Sequence, residues 1–357
     1  MTRRLATLCL FLSIVPATAG VRADPDLQAL ANAGHWRQLR AIVEPRVAAN
    51  TADAPAAYRL SQVELAFGHL DRALALAERA VSLDKSNASC HVQLAKVCLQ
   101  EVDTASVFKV FGWIHRFEQE VQLVLQLDPA NVEARVSLMG YRWDHREHDK
   151  ATSLADEIGG LNAAEGALAH AELARREDPK DVPTISTWLL KAIRAEPANY
   201  RAHALLANYY SADTTSADRS IQEARQAQQI DPGRVAAYTV IARVYALQQD
   251  TKRLDAILAE SEKSVPDNLA PFFQAGLTLL QQNADPARAE SYLRRYLSQE
   301  PEAGGPQLSR AHWRLGLVLE KLGRKAEAIA EVDIAVRLEP DFAPPKADLQ
   351  RLKGGAR

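Results

Sequence analysis

The chain has 357 residues, 47% of them hydrophobic and 25% charged, an ordinary water-soluble composition on a length that exceeds one comfortable core. Its 43 basic and 45 acidic residues nearly cancel, so bulk charge gives no reason to expect nucleic acid as a partner. Only 16 glycines and 17 prolines stand against abundant Ala, Leu, Glu, Arg and Gln, a balance that leans to helix.

The chain begins with Arg3 and Arg4, then a short apolar run from Leu5 to Val15 that Pro16 breaks. Ala17-Thr18-Ala19 and Val21-Arg22-Ala23 are two small-x-small cleavage sites. This is the pattern of a secretory signal peptide over residues 1–23, too short to span a bilayer. It predicts export, with the mature protein periplasmic or secreted. Cleavage after Ala23 removes three arginines and leaves 40 basic against 45 acidic residues. Cys9 lies inside the apolar run and not at its end, which argues against lipidation there. No other segment reaches the ~20 apolar residues of a membrane span.

From 24 to 53, Leu27 to Ala49 reads as a helix pair turning at Gly34, a degenerate repeat or a cap. A series of similar endings follows: Leu83-Asp84, Leu127-Asp128-Pro129, Ala195-Glu196-Pro197, Ile230-Asp231-Pro232, Val265-Pro266, Glu300-Pro301 and Leu338-Glu339-Pro340. Each closes an apolar-periodic run, and proline just past a helix end cannot continue it. Counting back gives units starting near Ala54, Ala88, Val132, Gly166, Tyr200, Val235, Leu269 and Ser309, spaced 34, 44, 34, 34, 35, 34 and 40 residues apart. Gly159-Gly160 and Asn162 replace the Asp-Pro ending in the third unit.

In the last unit Leu315-Gly316 and Leu319 share one face, Gly323 ends the first helix, and Ala328, Val332 and Ala335 line the second. The unit at Ala54 matches with Leu60-Ser61, Gly68, Ala73, Ala77 and Ala80. Small residues belong where two helices cross closely, and stacking on neighbours completes a core that no single pair can bury. On these residues and this period the chain resembles the tetratricopeptide repeat (TPR) family. The resemblance covers 54–342 in eight units, is strongest over 54–131 and 200–342, and implies an all-α, right-handed superhelical solenoid. Ala343 to Lys353, within the 343–357 tail, then reads as the capping helix. The region 88–199 is loosely similar to exported bacterial TPR proteins. A binding scaffold, not an enzyme, is implied.

Two stretches depart from the repeat. The unit at Ala88 is ten residues too long, and the excess around 106–117 carries Phe108, Phe111, Trp113, Ile114 and Phe117. An all-round apolar helix is expected to be buried, here as a longer second helix wedged against its neighbours. The alternative is an exposed docking patch on Phe108, Phe111 and Trp113. The second stretch is the turn holding Asp144, His145, Glu147, His148 and Asp149. It reads as a solvated charged turn, with a metal site as the rival, although the spacing is not that of a zincin. Cys90 and Cys98 fall on one helix about 12 Å apart, too far to bridge, so buried free thiols are expected.

No nucleophile elbow, phosphate-cradling loop or acid–base pair is legible, and no cofactor or metal is expected. In TPR folds the first helices line the concave groove. Carrying the family's groove positions over gives Tyr58, Gln62, Lys96, His170, Arg201, Asn208, Arg243, Phe273, Arg310 and Trp313, with Val92 and Val136 beside them. Family members that grip a carboxylate tail place Lys and Asn at paired positions. This chain keeps Asn208 but has Ala204 where that lysine would stand, so an extended peptide or helix is the better-fitting partner. The leading expectation is a protein-binding adaptor in the bacterial envelope; its rival is an accessory subunit of an envelope enzyme, or a metal-binding or enzymatic protein using the His145–Asp149 turn.

Overall fold

The computed structural model describes residues 26–104 and 106–354; the leader expected over 1–23, Cys9 included, lies outside them. Nineteen α-helices run through the described residues. The N-terminal pair is α1 (Leu27–Ala33) and α2 (Trp36–Ala49). The first unit pairs α3 (Ala54–Ala66) with α4 (Leu70–Leu83), the second α5 (Ala88–Thr104) with α6 (Val107–Leu127), and the third α7 (Val132–Asp144) with α8 (His148–Leu161). The fourth pairs α9 (Ala163–Glu177) with α10 (Val182–Ala195), and the fifth α11 (Tyr200–Tyr210) with α12 (Ala217–Ile230). Then come α13 (Val235–Leu247) with α14 (Thr251–Ser264), α15 (Ala270–Gln281) with α16 (Pro286–Tyr296), and α17 (Leu308–Lys321) with α18 (Lys325–Leu338). Helix α19 (Ala343–Gly354) packs on α18 and ends the solenoid.

Local chemistry sets these boundaries. The side chains of Asp53, Asn131, Asn162, Asp181, Asn199 and Asp250 each accept a backbone N–H from the first turn of the helix that follows. That satisfies donors the helix cannot pair internally. Within several pairs the chain reverses through one left-handed residue, glycine at Gly68 and Gly323 but Arg146, Gln249 and Asn283 at the equivalent turns. The fourth unit starts earlier than its spacing suggests. Asn162 ends α8 and also caps α9, accepting from Ala164 and Glu165, so α9 begins at Ala163 with no linker.

The crossings are as close as the small residues predict. A Cβ built on Gly316 would lie 2.4 Å from Cγ2 of Val332, and one on Gly166 would lie 2.2 Å from Cα of Gly159. Where serine sits at a crossing, its hydroxyl donates to the facing helix: Ser61 to the carbonyl of Ala73 and Ser220 to that of Ala207, both at 2.8 Å. The core is a string of clusters along the chain, not one ball, as stacking requires. Cys90 and Cys98 are buried free thiols on α5.

The 106–117 insert corrects an expectation. Helices α5 and α6 run 17 and 21 residues, against 11 to 15 in the other repeat pairs, so the pair is longer at its tip. Phe117 is buried and Trp113 and Ile114 are half-buried, but Phe108 and Phe111 are 95% and 75% exposed. The start of the lengthened helix leaves Phe108 and Phe111 open to solvent while Val110, Trp113 and Ile114 are partly covered.

The solenoid also returns on itself. Nδ1 of His35 lies 2.8 Å from Oδ2 of Asp267, which also accepts from Gln38 at 2.9 Å. Glu302 accepts the backbone N–H of Arg37 at 2.8 Å, and the Arg37 side chain donates to the carbonyl of Glu300. Arg234 donates to the carbonyl of Asn32. The N-terminal pair therefore docks on the turns before α13 and α15 and on the loop before α17.

Candidate protein-binding groove

Two apolar openings lie against the first helices of the middle units. A cavity of about 390 Å³ runs between α9 and α11, with Val136, Met139 and Gly140 of α7 at one side and Ile185 and Leu189 of α10 at its floor. A second, of about 450 Å³, lies between α11 and α13, lined by Tyr200, Ala204, Asn208 and Val240 among others. Arg201 and Leu205 line both, so the two join across α11. Leu205 is 37% exposed at the point where the two cavities meet.

Arginine dominates the rim. Arg175, Arg176 and Arg201 border the first cavity with Glu172 as its one carboxylate; Arg201 and Arg234 border the second. Glu172 is shared: Arg175 donates to it at 2.7 Å and Arg176 at 2.8 Å, while Arg176 also reaches Asp144 at 2.5 Å. Burial works to raise the Glu172 carboxyl, but the two guanidiniums outweigh it and hold it below its ordinary value. Arg201 is the least engaged. Its side chain is 51% exposed, and its contact with Glu165 is long, at 3.4 Å. Arg234 lies over the Tyr200 ring at 4.5 Å, and burial pushes the Tyr200 hydroxyl up to about 12.

The positions carried over from the family separate in three dimensions. Arg201 sits in the joined cavities. Asn208 lines the second, but its side-chain oxygen accepts from Arg243 at 2.8 Å, and Arg243 also donates to Ser211. These two residues tie α11 to α13, and Arg243 is half-buried with its pKa lowered by burial. His170 packs between helices: its Nε2 lies 3.0 Å from Asp156 and its ring stacks on Trp188 at 4.3 Å. Lys96 is paired with Glu133 of the next unit, and Gln62 donates to the Tyr58 hydroxyl at 2.9 Å. Phe273, Arg310 and Trp313 do come together, in a separate cavity of about 360 Å³ with Pro306. Phe273 is nearly buried against Tyr296, and Trp313 donates its indole N–H to Asp348 of α19. The positions carried over from the family do not include Leu205, Arg175, Arg176, Tyr209 and Arg234, which lie on first helices or their caps at other places in the unit.

The turn at 144–149 is engaged throughout its first part. Asp144 pairs with Arg176, and Glu147 with Arg142 and Lys150. His145 lies against Tyr141 in a tilted arrangement, and His148 stacks on Trp143. Among the described residues, no three His, Cys, Asp or Glu side chains stand together as metal ligands.

Comparison with known proteins completes the picture. The tetratricopeptide repeat family model matches residues 309–342, one full unit. Eight helix pairs of the same construction carry that unit's pattern through the chain. The chain is a TPR-like solenoid with a tetratricopeptide repeat at 309–342. Among solved structures, the TPR solenoid is similar to yeast Tom70, with 11% identity over 92% of this chain and 80% of that one and a TM-score of 0.50. A tetratricopeptide repeat protein from Parabacteroides merdae aligns at 12% identity over 74% of this chain and 98% of its own, TM-score 0.48. A human IFIT1 dimer with PPP-AAAA aligns at 17% over 81% and 73%, TM-score 0.47. At such identities the likeness is one of fold. No curated protein matches the chain by sequence. TPR solenoids are protein-interaction scaffolds, and no described helix of this one is long and apolar enough to cross a membrane.

Proposed function

We propose that this TPR protein is an exported adaptor of a bacterial envelope, holding a segment of a partner protein in the joined cavities and performing no catalysis itself. The observation that carries the reading is Leu205, an exposed leucine where two apolar cavities meet, ringed by arginines. Apolar openings rimmed by polar groups mark interaction sites, and Tyr and Arg supply much of interface energy. The leader pattern supports export. The ion pairs and ring contacts in the 144–149 turn favour binding over metal chemistry.

Affinity capture from envelope extracts tests the binding claim. Wild type should retain a partner that Leu205→Glu loses while its helical circular dichroism is unchanged. Equal recovery by both proteins, or none by wild type, would sink it. Expression with the leader, followed by fractionation and intact mass, tests export: a cytoplasmic, uncleaved chain is the contrary result.

A further inference from the structure

The cavity between α9 and α11 has a length and a charge pattern that select one kind of segment. The fourth and fifth units are offset by 34 residues, so Arg175 of α9 lies level with Tyr209 of α11, and the Arg175 charge acts on the Tyr209 hydroxyl. Arg201 lies eight residues before Tyr209 on the same helix, which at 1.5 Å per residue puts the two arginine levels about 12 Å apart. Leu205 falls midway, and the residue level with it on α9 is Ala171, whose small side chain leaves room opposite.

A strand rises about 3.3 Å per residue, so about 12 Å corresponds to four residues, and residues i, i+2 and i+4 point to one side. Arg201 makes one long contact and Arg175 shares a single carboxylate, so each keeps donors among its five N–H groups. The cavity holds three arginines against one glutamate, in a chain whose total charge is slightly negative. The complement is anionic at both ends and apolar in the middle. Four residues of a strand span about 13 Å and match the separation of the arginine levels, whereas four residues of a helix span about 6 Å, so side chains this close in sequence reach both arginines only in an extended chain.

We propose that the α9–α11 slot takes an extended, internal segment of a partner protein of the form acid-x-apolar-x-acid. One carboxylate meets Arg201, the other meets Arg175, and the apolar side chain lies over Leu205 and Ala171. This deepens the binding reading above and rests on it. It differs from capture of a chain terminus, because both carboxylates belong to side chains.

The test uses the whole mature protein and labelled peptides containing Glu-Ser-Leu-Ser-Glu, Gln-Ser-Leu-Ser-Gln or Lys-Ser-Leu-Ser-Lys, amidated at the C-terminus so that no terminal carboxylate is offered. Fluorescence anisotropy should show the Glu peptide binding roughly tenfold tighter than the Gln peptide, with the gap closing as salt rises. Arg201→Glu should abolish that preference, and helical circular dichroism checks that this exposed substitution leaves the fold intact. Equal binding of Gln and Glu peptides overturns the acidic motif; if that binding is lost in Leu205→Glu, the groove reading stands without it. Binding of no peptide, or binding indifferent to Leu205→Glu, overturns both.

Discussion

The carboxylate of Glu302 caps helix α2, accepting the backbone N–H of Arg37 at 2.8 Å across 265 positions of sequence. The local cap residue, His35, makes no capping bond of its own because its imidazole is turned to Asp267. A helix start left short of a partner is thus completed by a loop from the far end of the solenoid. Glu302→Ala should release this cap at a cost of about 0.5–2 kcal/mol. Hydrogen exchange should quicken over residues 27–49 and stay unchanged in α7 to α10; unchanged exchange over 27–49 would refute the role.

The same seam should respond to pH. The hydrogen bond to Asp267 raises the pKa of His35 against the opposing effect of burial. Its contribution is full below 6.5 and fades as pH rises through the raised value. Burial pushes Glu302 up to about 7, so its contribution is full below its ordinary 4.5 and lost as pH climbs through about 7. Burial works to raise Asp267, but the bond and charge of His35 outweigh it and hold Asp267 below 3.8; its contribution survives until pH falls through that lowered value. Together they make the docked N-terminal pair tightest in mild acid: His35 and Glu302 loosen it above neutrality, and Asp267 only in strong acid. Exchange protection over 27–49 should fall between pH 5.5 and pH 8, and His35→Gln combined with Glu302→Gln should flatten that dependence.

Much of the scaffold is legible because repeats write it locally. Asp-Pro endings, capping Asp and Asn, and the glycines at Gly68 and Gly323 act within a few residues, so the unit boundaries follow from neighbours in sequence. The seam is invisible in the sequence because Glu302 and Arg37 become neighbours only after seven units have stacked. The 40-residue spacing between Leu269 and Ser309 is its one trace, the extra residues being the loop that carries Glu302. Groove positions fare unevenly for a related reason. The family's positions pick out Arg201, which lines both cavities, but they cannot show that Asn208 and Arg243 bond to each other or that His170 stacks on Trp188.

The glycines of the third and fourth units make a matched pair of predictions. A methyl on Gly166 would meet the Gly159 backbone, which cannot step aside without parting α8 from α9, whereas one on Gly160 meets nothing within 4 Å. Gly166→Ala should destabilise by about 1–3 kcal/mol, and Gly160→Ala, on an open helical face, should stabilise by about 0.5–1 kcal/mol. Denaturant melts of the two variants should therefore move in opposite directions.

Cys90 and Cys98 should be inert in the native protein. Burial pushes the Cys90 thiol up to about 11 and the Cys98 thiol up to about 12, so almost no thiolate exists at neutral pH. A thiol reagent should label neither within the time that fully labels unfolded chain, and native labelling at a comparable rate would contradict their burial.

Phe108 and Phe111 hold the last test, because sequence and structure lead to opposite expectations for them. Were they core residues, replacing either by serine would cost several kcal/mol, as large-to-small core changes do. Both lie largely in solvent at the start of α6, where the folded chain gains little from their apolar surface. Phe108→Ser with Phe111→Ser should leave the melting midpoint within about 0.5 kcal/mol of wild type. Phe117→Ala, in the same helix but buried, should lower it by about 3–5 kcal/mol. A double serine variant as unstable as Phe117→Ala would restore the buried reading of the whole insert.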